Sequence, residues 1–183
     1  MFRPGVNLLV GDQGSGKSSV YQAICTHGLK KKRSLHLPDK DKVPFVMNYK
    51  GDPMPVFAFD FEKDNYRTKA YFDDDIGFHV GSMYKSHGEM VLALMDSFEE
   101  IDRAMIVLFD EPDMALSIRS CYRLVRIFKH LADLGGQVIA TAHNPTVILG
   151  FPEVYSLEHH EWMPSADFVA TQMEEAEAGS SNG

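Results

Sequence analysis

The chain has 183 residues, which is enough to bury the core of a single domain. With 44% hydrophobic and 24% charged residues, its composition is that of a globular protein and excludes a fibrous or wholly disordered chain. The net charge of −8 argues against binding nucleic acid with the whole surface, although it is compatible with a local basic patch.

Apolar runs that predict strands alternate along the chain with apolar spacings that predict helices. The first run, residues 6–10, lies between Pro4-Gly5 and Gly11 and predicts a buried strand. Residues 31–54 are rich in Lys, Pro, Asp and Gly and predict largely irregular structure. Further strands are expected at 44–47, 55–60, 76–80, 105–109, 137–141 and 154–157. Helices are expected over 18–30, from Ser86 to Ile101, from Ile118 to Gly135-Gly136, and from Ser165 onwards.

This alternation predicts an α/β fold with a mostly parallel sheet flanked by helices. Residues 1–172 are expected to form one domain. Residues 173–183 contain the polar run EEAEAGSSNG and predict a flexible tail.

Three features of the sequence indicate the cellular compartment. No apolar run approaches the roughly 18 residues that span a bilayer. The N-terminal sequence MFRPGVNLLVGD lacks the long apolar stretch and cleavage site of a signal peptide. Cys25 and Cys121 lie in apolar helical patterns, which indicates reduced core thiols rather than a disulfide framework. We therefore expect a cytoplasmic protein.

The segment GDQGSGKS follows the first predicted strand and opens the first predicted helix, and it matches the P-loop pattern in full. The backbone N–H groups of such a loop converge on phosphate, and the helix adds its positive end. Lys17 would reach the β- and γ-phosphates, and Ser18 would bind Mg²⁺. We expect ATP and Mg²⁺ as ligands. The predicted nucleotide contacts in this segment and the residue after it are Gly11, Asp12, Gln13, Gly14, Ser15, Gly16, Lys17, Ser18 and Ser19.

Two later strand ends carry candidate catalytic groups. Asp110 can hold Mg²⁺ through water, and Glu111 can polarise an attacking water. An ordinary solvated turn is the alternative for this acidic pair. His143 follows the strand 137–141, where a histidine can sense the γ-phosphate or orient the water, and a plain loop histidine is the alternative. Lys17, Glu111 and His143 are the predicted catalytic residues, and Ser18 and Asp110 the predicted metal ligands.

The stretch YKSHGEMV at 84–91 has two interpretations. Ser86 with Glu89 three residues later forms a capping box, which predicts only a helix start. The same residues would also suit a phosphate contact that completes an ATP site on a second molecule. The local sequence does not decide between them.

Taken in order, GDQGSGKS, SHGE, LFDEPD, the ALS turn and ATAHN resemble the motifs of ABC-type ATPases over residues 1–150. The resemblance implies a P-loop NTPase fold and an ATP-dependent, head-to-tail homodimer. It also implies that Ser86, Gly88 and Glu89 contact the nucleotide bound by the other subunit. A capped helix start offers free N–H groups and a positive dipole end, so both interpretations of Ser86 are compatible.

Departures from transporter members narrow this resemblance. Only the 25 residues 61–85 separate Asp60 from Ser86, too few for the helical subdomain through which transporter ATPases dock on membrane subunits. The chain is more similar to SMC and RecF-type heads, without their coiled coil, and to small stand-alone prokaryotic or phage ATPases. This implies action on a partner protein or DNA and no membrane partner.

The glutamine loop of the family has no matching glutamine here. Asp60 or Glu62 occupies its place, and a solvated acidic loop is the alternative. Arg67 is a candidate phosphate contact in the same segment.

Three charged groups have a simpler explanation than a site. The run Lys30–Arg33 is expected to be a solvated helix end, with DNA contact as the alternative. His159-His160 lack the further ligands of a metal site. The arginines of the helix that begins at Ile118 are expected to form a solvated face, with DNA or partner contact as the alternative. These are Arg119, Arg123 and Arg126.

Two rival functions remain beside ATP hydrolysis. A P-loop small-molecule kinase would need an acceptor site and an arginine-rich lid, whereas residues 62–86 hold only Arg67. A nucleotide-binding regulatory module would hydrolyse ATP negligibly, and Glu111 argues against it.

Overall fold

The computed structural model describes residues 2–28, 54–60, 87–114 and 116–180. None of the helices in these segments is long and apolar enough to cross a membrane. The strands expected at 44–47 and 76–80 lie outside the described residues, as do Lys30–Arg33, Glu62, Arg67 and Ser86. The described strands are β1 (Gly5–Val10), β2 (Val56–Asp60), β3 (Ile106–Asp110), β4 (Gln137–Thr141), β5 (Glu153–Ser156) and β6 (Glu161–Pro164). The described helices are α1 (Lys17–Gly28), α2 (His87–Glu99), α3 (Ile118–Asp133), α4 (Pro145–Ile148) and α5 (Ser165–Ser180).

These strands form one sheet in the order β2-β3-β4-β1-β5-β6. All neighbouring pairs are parallel except β5 and β6, which are antiparallel. Parallel neighbours need crossover connections, and the helices between the strands supply them. The sheet confirms the predicted mostly parallel α/β fold.

Side chains of β1 alternate between the two faces of the sheet, because successive residues of a strand point to opposite sides. Leu8 and Val10 join the larger buried cluster, which includes residues of α2, α3 and α4. Leu9 joins a second cluster with Tyr21 and Cys25 of α1. Both faces are therefore covered, which explains the mostly apolar sequences of β1, β3 and β4.

Phe128 of α3 is the centre of the larger cluster. Its ring is fully buried and stacks on Phe109 of β3 at 5.6 Å and on Phe151 at 6.3 Å, centroid to centroid. Phe98 of α2 meets Phe109 edge-on at 5.1 Å. Through these ring contacts, α2, α3 and the segment after α4 pack against the middle of the sheet.

Helix α3 begins and ends where its sequence indicates. Ser117 accepts a hydrogen bond from the Ser120 N–H at 3.2 Å and caps the first turn. The helix stops before Gly135, which has a positive φ of 83°. At Gly136 a Cβ would come within 2.6 Å of the Met105 carbonyl oxygen, so only glycine fits where the chain turns back to β4. The predicted end at Gly135-Gly136 is confirmed.

Arg123 of α3 is not a purely solvated side chain. It donates to Glu99 of α2 through Nε at 2.9 Å and Nη2 at 2.8 Å, and it also pairs with Asp96. These contacts raise the pKa of the Arg123 guanidinium and lower the pKa of the Glu99 carboxyl. Arg119 and Arg126 are exposed, as expected. The contribution of Arg123 is thus a bidentate link between two helices.

Two described elements were absent from the sequence prediction, and a third is longer than expected. Helix α4 is short, but Asn144 at its N-cap and Pro145 at its first position are standard start signals. Strand β6 follows a turn without glycine, in which His160 itself adopts φ 56°. Helix α5 continues to Ser180, within the segment predicted as a tail, so the boundary at 172 stays a prediction.

Phe128→Ala should lower the free energy of unfolding by about 3–5 kcal/mol, because it leaves a cavity between stacked rings. Tyr122→Ala on the same helix is the matched control. Tyr122 is 62% exposed, so we expect a change within about 0.5 kcal/mol. Urea unfolding followed by the fluorescence of the single tryptophan, Trp162, measures both. Equal effects of the two substitutions would show that Phe128 is not the centre of the core.

Candidate functional site

The carboxyl ends of β1, β4 and β3 lie side by side at one edge of the sheet. The pairing of Leu9 with Thr141, and of Phe109 with Ala140, sets this arrangement. Ligands of open α/β sheets bind at this edge because the following loops and helix starts converge there. The P-loop follows β1, Asp110 and Glu111 lie at the end of β3, and His143 lies just after β4.

The P-loop curls tightly directly after β1. The Ser15 N–H donates to the Asp12 carbonyl oxygen at 3.1 Å, and Gly11 adopts φ 146°. A Cβ at Gly11 would come within 2.7 Å of Ser15 Oγ. Gly14 and Gly16 also have positive φ, of 89° and 95°. The glycine spacing of the motif is therefore required by the backbone of the loop.

Lys17, the first residue of α1, folds back over the loop. It is only 5% exposed, and its Nζ donates to the carbonyl oxygens of Gly11 at 2.6 Å and Asp12 at 2.7 Å. A weaker contact joins Nζ to Ser15 Oγ at 3.3 Å. Burial lowers the pKa of the Lys17 ammonium, and nearby carboxylates, Glu111 first among them, oppose that shift. The ammonium is thus held at the mouth of the loop with its donors directed by backbone oxygens.

Thr141 links the strand ends β3 and β4. Its Oγ1 donates to Asp110 Oδ1 at 2.8 Å, and the Glu111 N–H donates to the same Oγ1 at 2.8 Å. Asp110 is 3% exposed. One hydroxyl therefore orients a buried carboxylate and fixes the backbone of the next residue.

Glu111 has a strained backbone and contacts His143. Its φ is 53°, a conformation that costs a non-glycine residue energy and is concentrated at functional sites. His143 Nε2 lies 3.1 Å from Glu111 Oε1, and both side chains remain partly open to solvent. The residue with the strained backbone is therefore also the one whose carboxylate contacts His143.

Asp113 holds the loop that carries His143. Its carboxylate is buried, and Oδ2 accepts the N–H groups of His143 at 2.8 Å and Asn144 at 2.5 Å. Among the described residues, Asp113 Oδ1 has no hydrogen-bond partner. The loops after β3 and β4 are therefore tied to each other by side chains as well as by sheet pairing.

Most of the predicted site falls within this edge. Lys17, Asp110, Glu111 and His143 occupy it, and Ser18 follows in the first turn of α1. Asp60 pairs with Asp110 in the register of β2 and β3, which places the predicted glutamine-loop position at the same edge.

The predicted signature motif, SHGE at residues 86–89, is described only in part. Helix α2 begins at His87, directly after Ser86, and its first turn contains Gly88 and Glu89. Ser86 lies outside the described residues, so its contact with a second subunit stays a prediction. The His159-His160 pair is exposed, and the described residues contain no group of three side chains suited to a metal ion.

Sequence reasoning missed three residues of the site: Thr141, Asp113 and Glu158. Thr141 has the appearance of an ordinary β-branched strand residue. Asp113 belongs to the motif LFDEPD, so a buried carboxylate there was a detectable signal. Glu158 accepts the Asp12 N–H at 2.6 Å, and no motif marks it.

No protein-family model matches the sequence, and no curated protein matches it. A chain of a transporter assigned to the metal-chelate ABC type, in an inward-facing conformation, superposes with a TM-score of 0.55 at 13% identity. The superposition covers 90% of this chain and 74% of that one. CbiO1 from Clostridium perfringens, part of the ABC transporter complex CbiONQ, superposes with a TM-score of 0.50 at 14% identity, covering 93% and 81%.

The chain has the ABC-type ATPase fold. This confirms the predicted fold class. The P-loop follows β1, and the acidic pair lies at the end of β3. Only β4 separates these two strands in the sheet. A single nucleotide site can therefore draw on all three strand ends.

Thr141→Val keeps the shape of the side chain and removes its hydroxyl. Asp110 then loses one donor and the Glu111 N–H loses its acceptor, so the free energy of unfolding should fall by about 2 kcal/mol. Thr141→Ser retains the hydroxyl and should recover most of that loss. Chemical denaturation of the three proteins measures it. If valine and serine variants were equally stable, the hydroxyl would not be the link between the strands.

Proposed function

We propose that this protein binds and hydrolyses Mg-ATP at the edge formed by β1, β3 and β4. The observation that carries the proposal is the Glu111–His143 contact of 3.1 Å. His143 follows β4, the neighbour of the P-loop strand β1, and Glu111 follows β3 on the other side of β4. A P-loop alone would indicate phosphate binding. A carboxylate paired with a histidine at the same edge supplies the groups that hydrolysis requires.

Binding would use the P-loop and the start of α1. The backbone N–H groups of residues 14 and 16–19 and the positive helix end attract phosphate oxygens, and the Lys17 ammonium adds a full charge. The donor set also fits magnesium, because Ser18 offers a hydroxyl and Asp110 a carboxylate, the oxygen ligands that this ion prefers. The ion, when bound, neutralises charge that develops on the phosphates.

Hydrolysis would use Glu111 and His143. The Glu111 carboxylate accepts a proton from water as that water attacks the γ-phosphorus, and the bond to the β–γ bridging oxygen breaks. His143 orients Glu111 through the observed contact. Thr141 and Asp113 act on these two groups indirectly, because they fix the backbone on which each is carried.

The dimer is the second part of the proposal. The resemblance to ABC-type ATPases implies that Ser86, Gly88 and Glu89 complete the site of a second copy. In support, α2 begins directly after Ser86, and Arg123 ties α2 to the helix that follows the LFDEPD motif. A conformational change at Asp110-Glu111 would thus reach α2, the helix that begins at the signature motif, through one helix–helix contact.

Opening and closing of the dimer would be passed to a partner protein or DNA. The short segment 61–85 favours such a partner over a transporter's membrane subunits. Both structural neighbours come from ABC transporters, and CbiO1 is part of a transporter complex. The absence of a membrane partner therefore stays a prediction.

Glu111→Gln should still bind Mg-ATP but release phosphate at least about 100-fold more slowly, because the amide cannot accept the proton. It should also accumulate as an ATP-dependent dimer. Phosphate release measured without any added acceptor, together with light scattering, gives both values. Wild-type protein that released no phosphate but transferred the γ-phosphoryl group to an added acceptor, leaving ADP, would be a kinase instead. A variant with unchanged turnover would remove Glu111 from the mechanism.

Ser86→Arg separates the cap from the contact between subunits. A lost cap alone should lower stability by about 1 kcal/mol and leave turnover of the folded protein intact. An arginine in the interface should preserve ATP binding, since the P-loop is on the same chain, while dimerisation and hydrolysis fall together.

Mixing Ser86→Arg with Lys17→Ala provides the control. The mixed dimer contains one complete site, formed by the P-loop of one chain and the signature of the other. Partial recovery of ATPase activity on mixing two nearly inactive proteins is expected. Full activity of Ser86→Arg alone would rule out the contact.

A further inference from the structure

The turn between β5 and β6 touches the P-loop from the side opposite to the catalytic strands. The Leu157 N–H donates to the Val10 carbonyl oxygen at 3.0 Å and extends the parallel pairing one residue beyond β5. This places the next residue, Glu158, beside the start of the loop. The Asp12 N–H then donates to Glu158 Oε1 at 2.6 Å. A charged acceptor makes this one of the stronger hydrogen-bond types.

The turn that carries Glu158 is itself held in place. Ser156 is fully buried, and its Oγ accepts the His159 N–H at 3.2 Å. His160 adopts φ 56°, which reverses the chain into β6. The Glu158 side chain therefore projects from a fixed backbone, although the side chain itself is exposed.

One peptide unit joins Glu158 to Lys17. The N–H of the Gly11–Asp12 peptide donates to Glu158, while the C=O of that same peptide accepts from Lys17 Nζ at 2.6 Å. Because a trans peptide is planar, its N–H and C=O point in opposite directions. Fixing the N–H therefore also fixes the direction in which the carbonyl holds the ammonium. Hydrogen bonds linked through one peptide also polarise each other.

We propose that Glu158 is a positioning residue of the nucleotide site, which holds Lys17 at the mouth of the P-loop through the Gly11–Asp12 peptide. The inference rests on the proposed function, because the purpose of this arrangement is to receive a nucleotide phosphate. A lysine already held in place loses less side-chain entropy on binding.

Glu158 also brings a negative charge near the phosphate site, which opposes nucleotide binding. This repulsion is screened, because Glu158 is exposed and salt screens charges over about 8 Å at physiological ionic strength. The hydrogen bond acts at contact distance and is not weakened in the same way. Holding the loop therefore outweighs repelling the nucleotide, and the net effect of Glu158 is to strengthen binding.

The first test compares Mg-ATP affinity by calorimetry. Glu158→Ala should raise the Kd about five- to tenfold, the effect of one lost hydrogen bond. Glu158→Gln keeps an acceptor and should stay within about twofold of wild type. Glu153→Ala is the matched control, since it removes an exposed carboxylate of β5, the strand before the turn of Glu158, and that carboxylate pairs with Arg3 instead. An unchanged Kd in Glu158→Ala, tighter binding, or a glutamine variant as weak as alanine would each overturn the proposal.

The second test needs no nucleotide, so its outcome is independent of the proposed function. Lysine acetylation under limiting reagent, followed by peptide mass spectrometry, reports the accessibility of the Lys17 amine. In the Glu158→Ala variant, the reagent should acetylate Lys17 several-fold faster than it does in wild type. The exposed Lys129 serves as the internal reference. Equal Lys17 rates in wild type and Glu158→Ala would contradict the link through the peptide. If wild type failed to bind Mg-ATP but Lys17 was acetylated faster in Glu158→Ala, the proposed function would be overturned. The link between Glu158 and Lys17 would stand.

Discussion

The parallel register of β3, β4 and β1 is the constraint on which the rest of the structure depends. It aligns Phe109 with Ala140 and Leu9 with Thr141, so the three strands end side by side at the same edge of the sheet. Residues far apart in sequence therefore meet without any long loop. The register is fixed in turn by burial on both faces, because a one-residue slip would exchange every core side chain between the two clusters.

Side-chain hydrogen bonds fix the positions of the site residues that the sheet brings together. Thr141 joins Asp110 to the Glu111 backbone, and Asp113 holds the N–H of His143. Glu158 performs a comparable task on the other side of β1. In each case a residue without a predicted role positions a residue that has one. The positive φ of Glu111 persists because these contacts fix the backbone around it.

The sequence was sufficient for the fold class and for choosing residues that the fold brings to one edge of the sheet, because both depend on local signals. Buried parallel strands have continuous apolar runs, and the P-loop glycines have a fixed spacing. The parts that were missed depend on contacts between distant residues. Nothing near Thr141 indicates that its hydroxyl bridges two strands, and nothing near Glu158 indicates a partner in the P-loop.

Some misses have local causes instead. The turn before β6 places His160 where glycine is usual, so the turn has no sequence signal. Helix α4 was missed although Asn144 and Pro145 mark its start, because four residues are too few for a periodic pattern. Arg123 was assigned to a solvated face because its acidic partners belong to another helix.

The central claim is that the P-loop, the acidic pair and His143 form one Mg-ATP site. Calorimetric titration of Mg-ATP into wild type and Lys17→Ala tests it most directly. The account predicts one binding event per chain in wild type, and loss of most of that affinity in a folded variant, because Lys17 binds phosphate through its charge. Equal affinity in the two proteins, or no binding to wild type, would contradict the account.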